Sequence, residues 1–354
     1  MRIEALRQKM REDGLDLFLV TDKINRRYLS GFTGSNGLLA ITLTRTVLFI
    51  DGRYTVQANQ QTNNVEIITV AVGRSLWNEL QQFNEEKHWG YEASTISLST
   101  YQQMQQAAQE VRVELIATRN LVESMRMIKD ETEIAAMRVA AELSDATLHQ
   151  VLDLVKPGMT ELALANEIDY LSKKLGSEGP AFETIVASGV RTGQPHAHAS
   201  QKVIEANELI MIDFGCIYQG YYSDITRTFA LGNVAEKIVA TYQTLQKIQA
   251  EAIETIRLDE PLSVIDQRVR KQLAKSDLDA YFTHNLGHGI GLSCHEYPTV
   301  GPEETQTVQE SMVFTVEPGI YLPDFGIRIE DDVLISKSGE IECLTKFPKE
   351  WLVI

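Results

Sequence analysis

Two segments constrain this chain more than any others: ELIMIDFGCIYQGYYSDITRTF at 208–229 and MVFTVEPGIYLPDFGIRIEDDVLI at 312–335. Each is a β-rich run, a turn signal and a second β-rich run, the pattern of a hairpin. Residues directly opposed on the two arms of a hairpin share a face at about 5 Å. Folding the first segment about Tyr218 and Gln219 sets Asp213 opposite Asp224, and a turn at Pro323-Asp324 sets Glu317 opposite Glu330. Ionised carboxylates so placed repel, so four in one cleft must share protons or hold cations. The apolar neighbours of all four favour a buried cleft over solvated arms.

A third stretch, THNLGHGIGLSCHEYP at 283–298, holds three of the seven histidines. His284 and His288 are spaced as on a helical face, but Gly287, Gly289 and Gly291 make a helix costly and point to a strand or loop. With His288 added, the acids form a donor set of mostly hard oxygen ligands. Such a set suits Mn2+ or Co2+, admits Zn2+, and does not suit copper or a thiolate site.

The rest of the chain supplies the frame. Its 354 residues exceed the usual size of one core, which predicts two domains, 1–125 and 126–354. In the first, a helical pattern from about Ile3 to Asp13 precedes LDLFLV, LLAIT and TVLFI, short apolar runs that read as strands of an α/β unit. GFTGSNG between them reads as a turn and not as a phosphate-binding loop. From Met127 a long helical pattern begins with acids in its first turn. Pro157 and Gly158 are expected to end it, and Thr160 opens the next helix. A second helical pair, AEKIVATYQTLQKIQAEAIETI and PLSVIDQRVRKQLAK, repeats this order of helices before strands and points to an internally duplicated domain.

A net charge of -16 disfavours a nucleic-acid partner. There is no apolar run of about 20 residues to span a membrane and no signal-peptide core, which together predict a cytoplasmic protein. Cys216, Cys294 and Cys343, odd in number and far apart, suit a reducing compartment and read as small buried hydrophobes. His88 and His149 read as surface or packing residues.

GHGIGLSCHE, LIMIDFG, YYSDITRTF, VEPGIY and IRIED together resemble the signatures of the metallopeptidases that include aminopeptidase P, prolidase and methionine aminopeptidase. Upstream, SGFTGSNG and DGRYTVQA resemble the amino-terminal domain of aminopeptidase P, which methionine aminopeptidases lack. The resemblance implies a creatinase-like α/β first domain and an α+β pita-bread catalytic domain, assembled as a homodimer or larger oligomer. It also implies two divalent ions per subunit, Mn2+ first with Co2+ or Zn2+ as alternatives, held by Asp213, Asp224, His288, Glu317 and Glu330. Such ions supply hydroxide at neutral pH for attack on a peptide carbonyl. On the same footing Glu317 shuttles the proton, His295 steadies the tetrahedral intermediate and His196 contacts the substrate near the scissile bond. His284 lines the pocket for the proline ring, and Arg328 orders the substrate site.

Dipeptidases of this family often carry arginine directly after the proline of the histidine-glutamate motif, where it can bind a dipeptide's carboxylate; here Thr299 follows Pro298. The expected activity is therefore that of an Xaa-Pro aminopeptidase acting on peptides with proline second, with Xaa-Pro dipeptidase as the alternative. A metal-free creatinase-type hydrolase or an inactive pita-bread binding module would lack the acidic ligand set, which is complete here.

Overall fold

The computed structural model describes residues 2–354, which fall into two compact units, one ending at Arg126 and the other running Met127–Ile354. In the first unit the helices are α1 (Arg2–Glu12), α2 (Lys23–Ser30), α3 (Thr55–Gln61), α4 (Leu98–Val111) and the short α5 (Glu123–Arg126). Its strands are β1 (Leu17–Val20), β2 (Leu38–Thr42), β3 (Thr46–Asp51), β4 (Glu66–Val70), β5 (His88–Glu92) and β6 (Glu114–Thr118). They form one mixed sheet in the order β4-β3-β2-β1-β5-β6. The three apolar runs became β1 to β3, an antiparallel meander buried along nearly its whole length. The parallel additions are β4 to β6; β4 and β6 carry weaker apolar patterns because they are partly exposed, and β5 because its buried positions include Gly90 and Glu92. Met104, Ala107 and Ala108 of α4 complete the core with Leu17, Phe49 and Trp89.

The second unit opens with α6 (Glu131–Leu152), whose start is a capping box. Asp130 accepts from the N–H groups of Thr132 and Glu133, and the Glu133 carboxylate accepts from the Asp130 N–H. The helix stops at Leu152, four residues earlier than the Lys156–Met159 breaker implies. The ring of Pro157 excludes helical geometry at the carbonyl four residues before it, so the last turn unwinds ahead of the proline. Helix α7 (Glu161–Leu175) begins where expected, with the Thr160 hydroxyl accepting from the Ala163 N–H.

Strands β7 (Ile185–Ser188), β8 (Glu208–Phe214), β9 (Ile217–Tyr218), β10 (Tyr221–Tyr222) and β11 (Ile225–Leu231) follow. The second helical pair is α8 (Glu236–Glu254) and α9 (Leu262–Ala274). The last strands are β12 (Gly287–Gly289), β13 (Glu296–Val300), β14 (Val313–Val316), β15 (Gly319–Tyr321), β16 (Gly326–Arg328), β17 (Asp331–Ile335) and β18 (Ile341–Cys343). Each helical pair buries its apolar face on its own group of strands. Leu148, Val151, Leu164 and Ile168 pack on β8 and β11, while Leu245, Ile248, Ile265 and Val269 pack with residues of β14, β16 and β17. The second unit therefore has the duplicated arrangement of helical pair and strands expected of a pita-bread domain, with the two strand groups meeting where the four acids lie.

The first hairpin corrects the expected pairing. Strands β8 and β11 are antiparallel, but Asp213 faces Thr226 and not Asp224. The turn is the two-residue Gln219-Gly220, both with positive φ, between the paired Tyr218 and Tyr221. Moving the turn centre by one residue slides the register by two, which keeps Asp224 on the same face as a diagonal neighbour of Asp213. In the second hairpin the ladder of Val316 with Asp331 continues in register as Gly319 with Arg328, so Glu317 and Glu330 stand opposite as expected. Gly215, at the bend of the first hairpin, has no room for a side chain: a Cβ there would lie 1.8 Å from the Ser223 carbonyl oxygen. Gly215→Ala is predicted to destabilise the protein by about 1–3 kcal/mol, read as a lower urea midpoint at unchanged slope; an unchanged midpoint would show that the hairpin opens freely.

Candidate metal centre

A cavity of about 420 Å³ brings together Asp213, Asp224, His288, Glu317 and Glu330 with His196, His284, His295, Thr299 and Arg328. Every candidate site residue from the sequence therefore lines one space. Each acid is delivered by a strand end. Asp213 is near the end of β8 and Asp224 immediately precedes β11, while Glu317 follows β14 and Glu330 precedes β17. The donor atoms of Asp224, His288 and Glu330 lie within 4.8 Å of one another. Glu317 stands beside them, its Oε1 being 3.5 Å from His288 Nε2.

Asp213 is turned elsewhere: its Oδ2 accepts from Arg328 Nη2, while its Oδ1 is buried without a partner. The Oδ1 atom of Asp224 is likewise buried and unpartnered. Buried polar atoms are normally satisfied, so two orphaned carboxylate oxygens beside a cluster of acids fit a site that completes itself with cations. The predominance of oxygen donors suits hard or borderline divalent ions.

His288 is prepared as a nitrogen donor. Its Nδ1 lies 3.1 Å from the Gly289 carbonyl oxygen, which can only accept, so Nδ1 carries the proton and Nε2 offers its lone pair to the acids. Burial, reinforced by His295, lowers its pKa to about 4 and keeps the ring neutral. The local chain is a strand, as the glycines implied: a Cβ on Gly287 would meet the Thr315 carbonyl oxygen at 2.0 Å.

Burial and mutual repulsion act in the same direction on the acids, both favouring the protonated form. Glu317 is raised to about 8, first by burial, with Arg328 partly opposing. Asp224 and Glu330 are both pushed well above the carboxylate range by burial and then by neighbouring carboxylates. Arg328 holds the cluster in place. Its Nε donates to the Thr226 hydroxyl, which donates to Glu330 Oε2, and its Nη1 donates to the Pro195 carbonyl and to Tyr321 Oη. Tyr321 Oη lies 3.1 Å from His284 Nε2, and His284 Nδ1 lies 2.7 Å from the Asn285 carbonyl oxygen. Arg328 is thus a buried organiser that ties Asp213, Glu330 and His284 into one frame.

The structure adds residues that the sequence reading did not single out. Cys294 is more than a packed hydrophobe: its Sγ donates to Asp224 Oδ2 at 3.2 Å. Burial and the adjacent carboxylate push its pKa far up, so it stays a thiol and not a thiolate ligand. Phe182, Glu183 and His198 also line the cavity, with His198 Nδ1 3.0 Å from Glu183 Oε1. His198 shares the PHAHAS stretch with His196, a signal that was available. Thr226 and Tyr321 carried no chemical pattern of their own. His149 packs against Phe347 and His88 pairs with Asp16, both away from this cavity.

Known proteins place this geometry in a lineage. Residues 135–337 match the model of metallopeptidase family M24, and residues 2–128 match that of the Creatinase/Prolidase N-terminal domain. The uncharacterized peptidase YqhT of Bacillus subtilis is 36% identical, the similarity spanning 100% of both chains. The structure of an Xaa-Pro dipeptidase from Bacillus anthracis superposes with a TM-score of 0.95 at 35% identity, over 100% of this chain and 99% of that one. That of an X-Pro aminopeptidase from Thermotoga maritima gives 0.89 at 35%, over 98% and 100%.

The pKa pattern predicts an unusual pH response of the metal-free protein. Glu317 is raised in the fold to about 8 from an ordinary 4.5, so its stabilising protonation is complete below pH 4.5 and lost as pH rises through 8. The urea midpoint of metal-stripped protein is expected to fall between pH 5 and 8. Glu317→Gln should reduce that slope, and Mn2+ uptake at pH 7 should release protons measurable by calorimetry in two buffers. A flat profile with no proton release would contradict the acid cluster.

Proposed function

The chain belongs to metallopeptidase family M24, and on that footing we propose that it is an Xaa-Pro aminopeptidase, removing the amino-terminal residue from peptides with proline second. The observation that carries this reading is the convergence of four acids and the Nε2 lone pair of His288 on one cavity with further histidines on its wall. In this reading Asp213, Asp224, His288, Glu317 and Glu330 hold two divalent cations, Mn2+ first and Co2+ or Zn2+ next, as the oxygen-rich donor set favours. When bound, such ions supply Lewis acidity and lower the pKa of water.

The protein groups then have separable tasks. Glu317, its Oε1 3.5 Å from His288 Nε2 on the cavity wall, is placed to exchange a proton between the attacking water and the leaving amine. His295, its ring centroid 4.1 Å from that of His288, donates to the oxygen that becomes negative as the carbonyl is attacked. His196, exposed on the cavity wall, contacts the substrate near the scissile bond. His284 is kept neutral by burial, with a pKa of about 4, and packs its ring with Phe282 and Tyr321 as a wall for the proline ring. Arg328 acts on the substrate through Tyr321 and the acids it orders.

Among the described residues no helix is long and apolar enough to cross a membrane. We place the protein in the cytoplasm, where its three free cysteines suit a reducing environment, and as a homodimer on the strength of the family resemblance. A second reading, Xaa-Pro dipeptidase, is favoured by the likeness to the Bacillus anthracis structure.

His295→Ala is predicted to lower kcat by about 100-fold with metal content preserved, the range for loss of one transition-state donor; loss of bound metal instead would make His295 a ligand. Metal-stripped protein restored in turn with Mn2+, Co2+ and Zn2+ should cleave Xaa-Pro-Xaa tripeptides in preference to matching dipeptides. Thr299→Arg should shift the ratio of kcat/KM toward the dipeptide, because the new cation offsets desolvation of the free carboxylate. A wild-type preference for dipeptides would make the dipeptidase reading the correct one.

A further inference from the structure

Thr299 lies directly opposite His288 across the β12–β13 ladder and lines the cavity. Directly opposed residues project from the same face at about 5 Å. With the scissile bond beside the acids and His288, where the proposed function puts the cations, Thr299 neighbours the residue after that bond and its onward linkage. What Thr299 can offer there depends on where its hydroxyl proton points. Thr299 Oγ1 donates to Glu304 Oε2 at 3.0 Å. Glu304 is itself fixed: its Oε1 accepts from the Thr305 and Gln306 N–H groups at 2.8 and 2.9 Å. Among the described residues no Lys, Arg or His is paired with Glu304, so its carboxylate is held by neutral donors alone and no cation offsets its charge. With its proton committed to the carboxylate, the hydroxyl has only lone pairs left for a bound molecule.

We propose that the Thr299–Glu304 pair is a selector for the group that follows proline, accepting its amide N–H and repelling a carboxylate. An Xaa-Pro-Xaa peptide or an Xaa-Pro amide supplies that N–H. A dipeptide supplies two acceptor oxygens and a negative charge, which meet the lone pairs of Thr299 and the charge of Glu304. The loop capping made by Glu304 Oε1 does not explain the pair, because it uses the other oxygen. This inference rests on the proline-peptidase reading and deepens it from a reaction to a substrate class.

Three substrates that share one Xaa-Pro unit separate the contributions: the free dipeptide, its amide, and its methyl ester, which is neutral but has no N–H. With Mn2+-loaded wild type, kcat/KM should be highest for the amide, lower for the ester and lowest for the dipeptide, with the dipeptide gaining as salt is added. Glu304→Gln keeps the shape but removes the charge and can donate to Thr299, freeing the hydroxyl proton to turn toward the substrate. It should lower the amide-to-dipeptide ratio by about 10-fold or more, the range for one charge-assisted hydrogen bond. Thr299→Val should bring amide and ester together. If the Gln variant cleaves all three with the wild-type ratios, the selector is refuted while the peptidase reading stands. If metal-loaded wild type cleaves none of them, nor any Xaa-Pro tripeptide, the peptidase reading falls and the selector with it.

Discussion

The structure is organised around the electrostatic cost of gathering four carboxylates out of water. Two like charges at 4 Å repel by about 4 kcal/mol at an effective dielectric of 20, and burial adds a desolvation penalty to each. A single pair at that separation would offset a large part of the stability of a typical domain. Three responses are visible. Asp213 is paired with Arg328, while Asp224, Glu317 and Glu330 are raised toward their protonated forms. His288 and Cys294 bring neutral groups against the acids instead of further negative charge. The site is thus tolerable without metal and strongly biased to accept it.

The scaffold holds this charge by dividing three consecutive acids among three environments. Glu330 faces the cavity and accepts from the Thr226 hydroxyl. Asp331 is buried against Arg227 and Lys349, whose charges hold it ionised below the usual carboxylate range although burial alone would raise it. Asp332 accepts from the backbone N–H of Asp224, which sets the position of an acid on the other hairpin. Arg227 also donates to the carbonyl oxygens of Glu330, Phe347 and Pro348. The two strand groups therefore meet through charge-assisted hydrogen bonds, and the functional acids inherit their positions from that seam.

Much of this was legible because hairpins are local. The pairing of Glu317 with Glu330 followed from a turn at Pro323-Asp324, and the ladders on either side keep that register. The same reasoning slips by two residues at Asp213, since the two-residue turn is Gln219-Gly220, one residue later than Tyr218-Gln219. The error left the chemistry intact because a shift of two preserves the face, whereas a shift of one would have reversed it. The end of α6 was placed too late because the proline signal marks where a helix cannot continue, not where it unwinds. Strands β4 and β6 carry little apolar pattern because they are half-exposed, and β5 carries little because its buried positions include Gly90 and Glu92.

The sequence by itself determined the chemistry on offer: which acids and histidines exist, that glycines forbid a helix around His288, and which face of each hairpin an acid occupies. These depend on residue identity, backbone sterics and a period of two. Only the tertiary structure decided that Asp213 turns to Arg328, that Cys294 donates to Asp224, that Tyr321 links Arg328 to His284, and that Thr299 gives its proton to Glu304. Hydrogen-bond direction, burial and charge partnership join residues far apart in the chain. They are set by how the two strand groups dock, and local pattern carries no record of that docking.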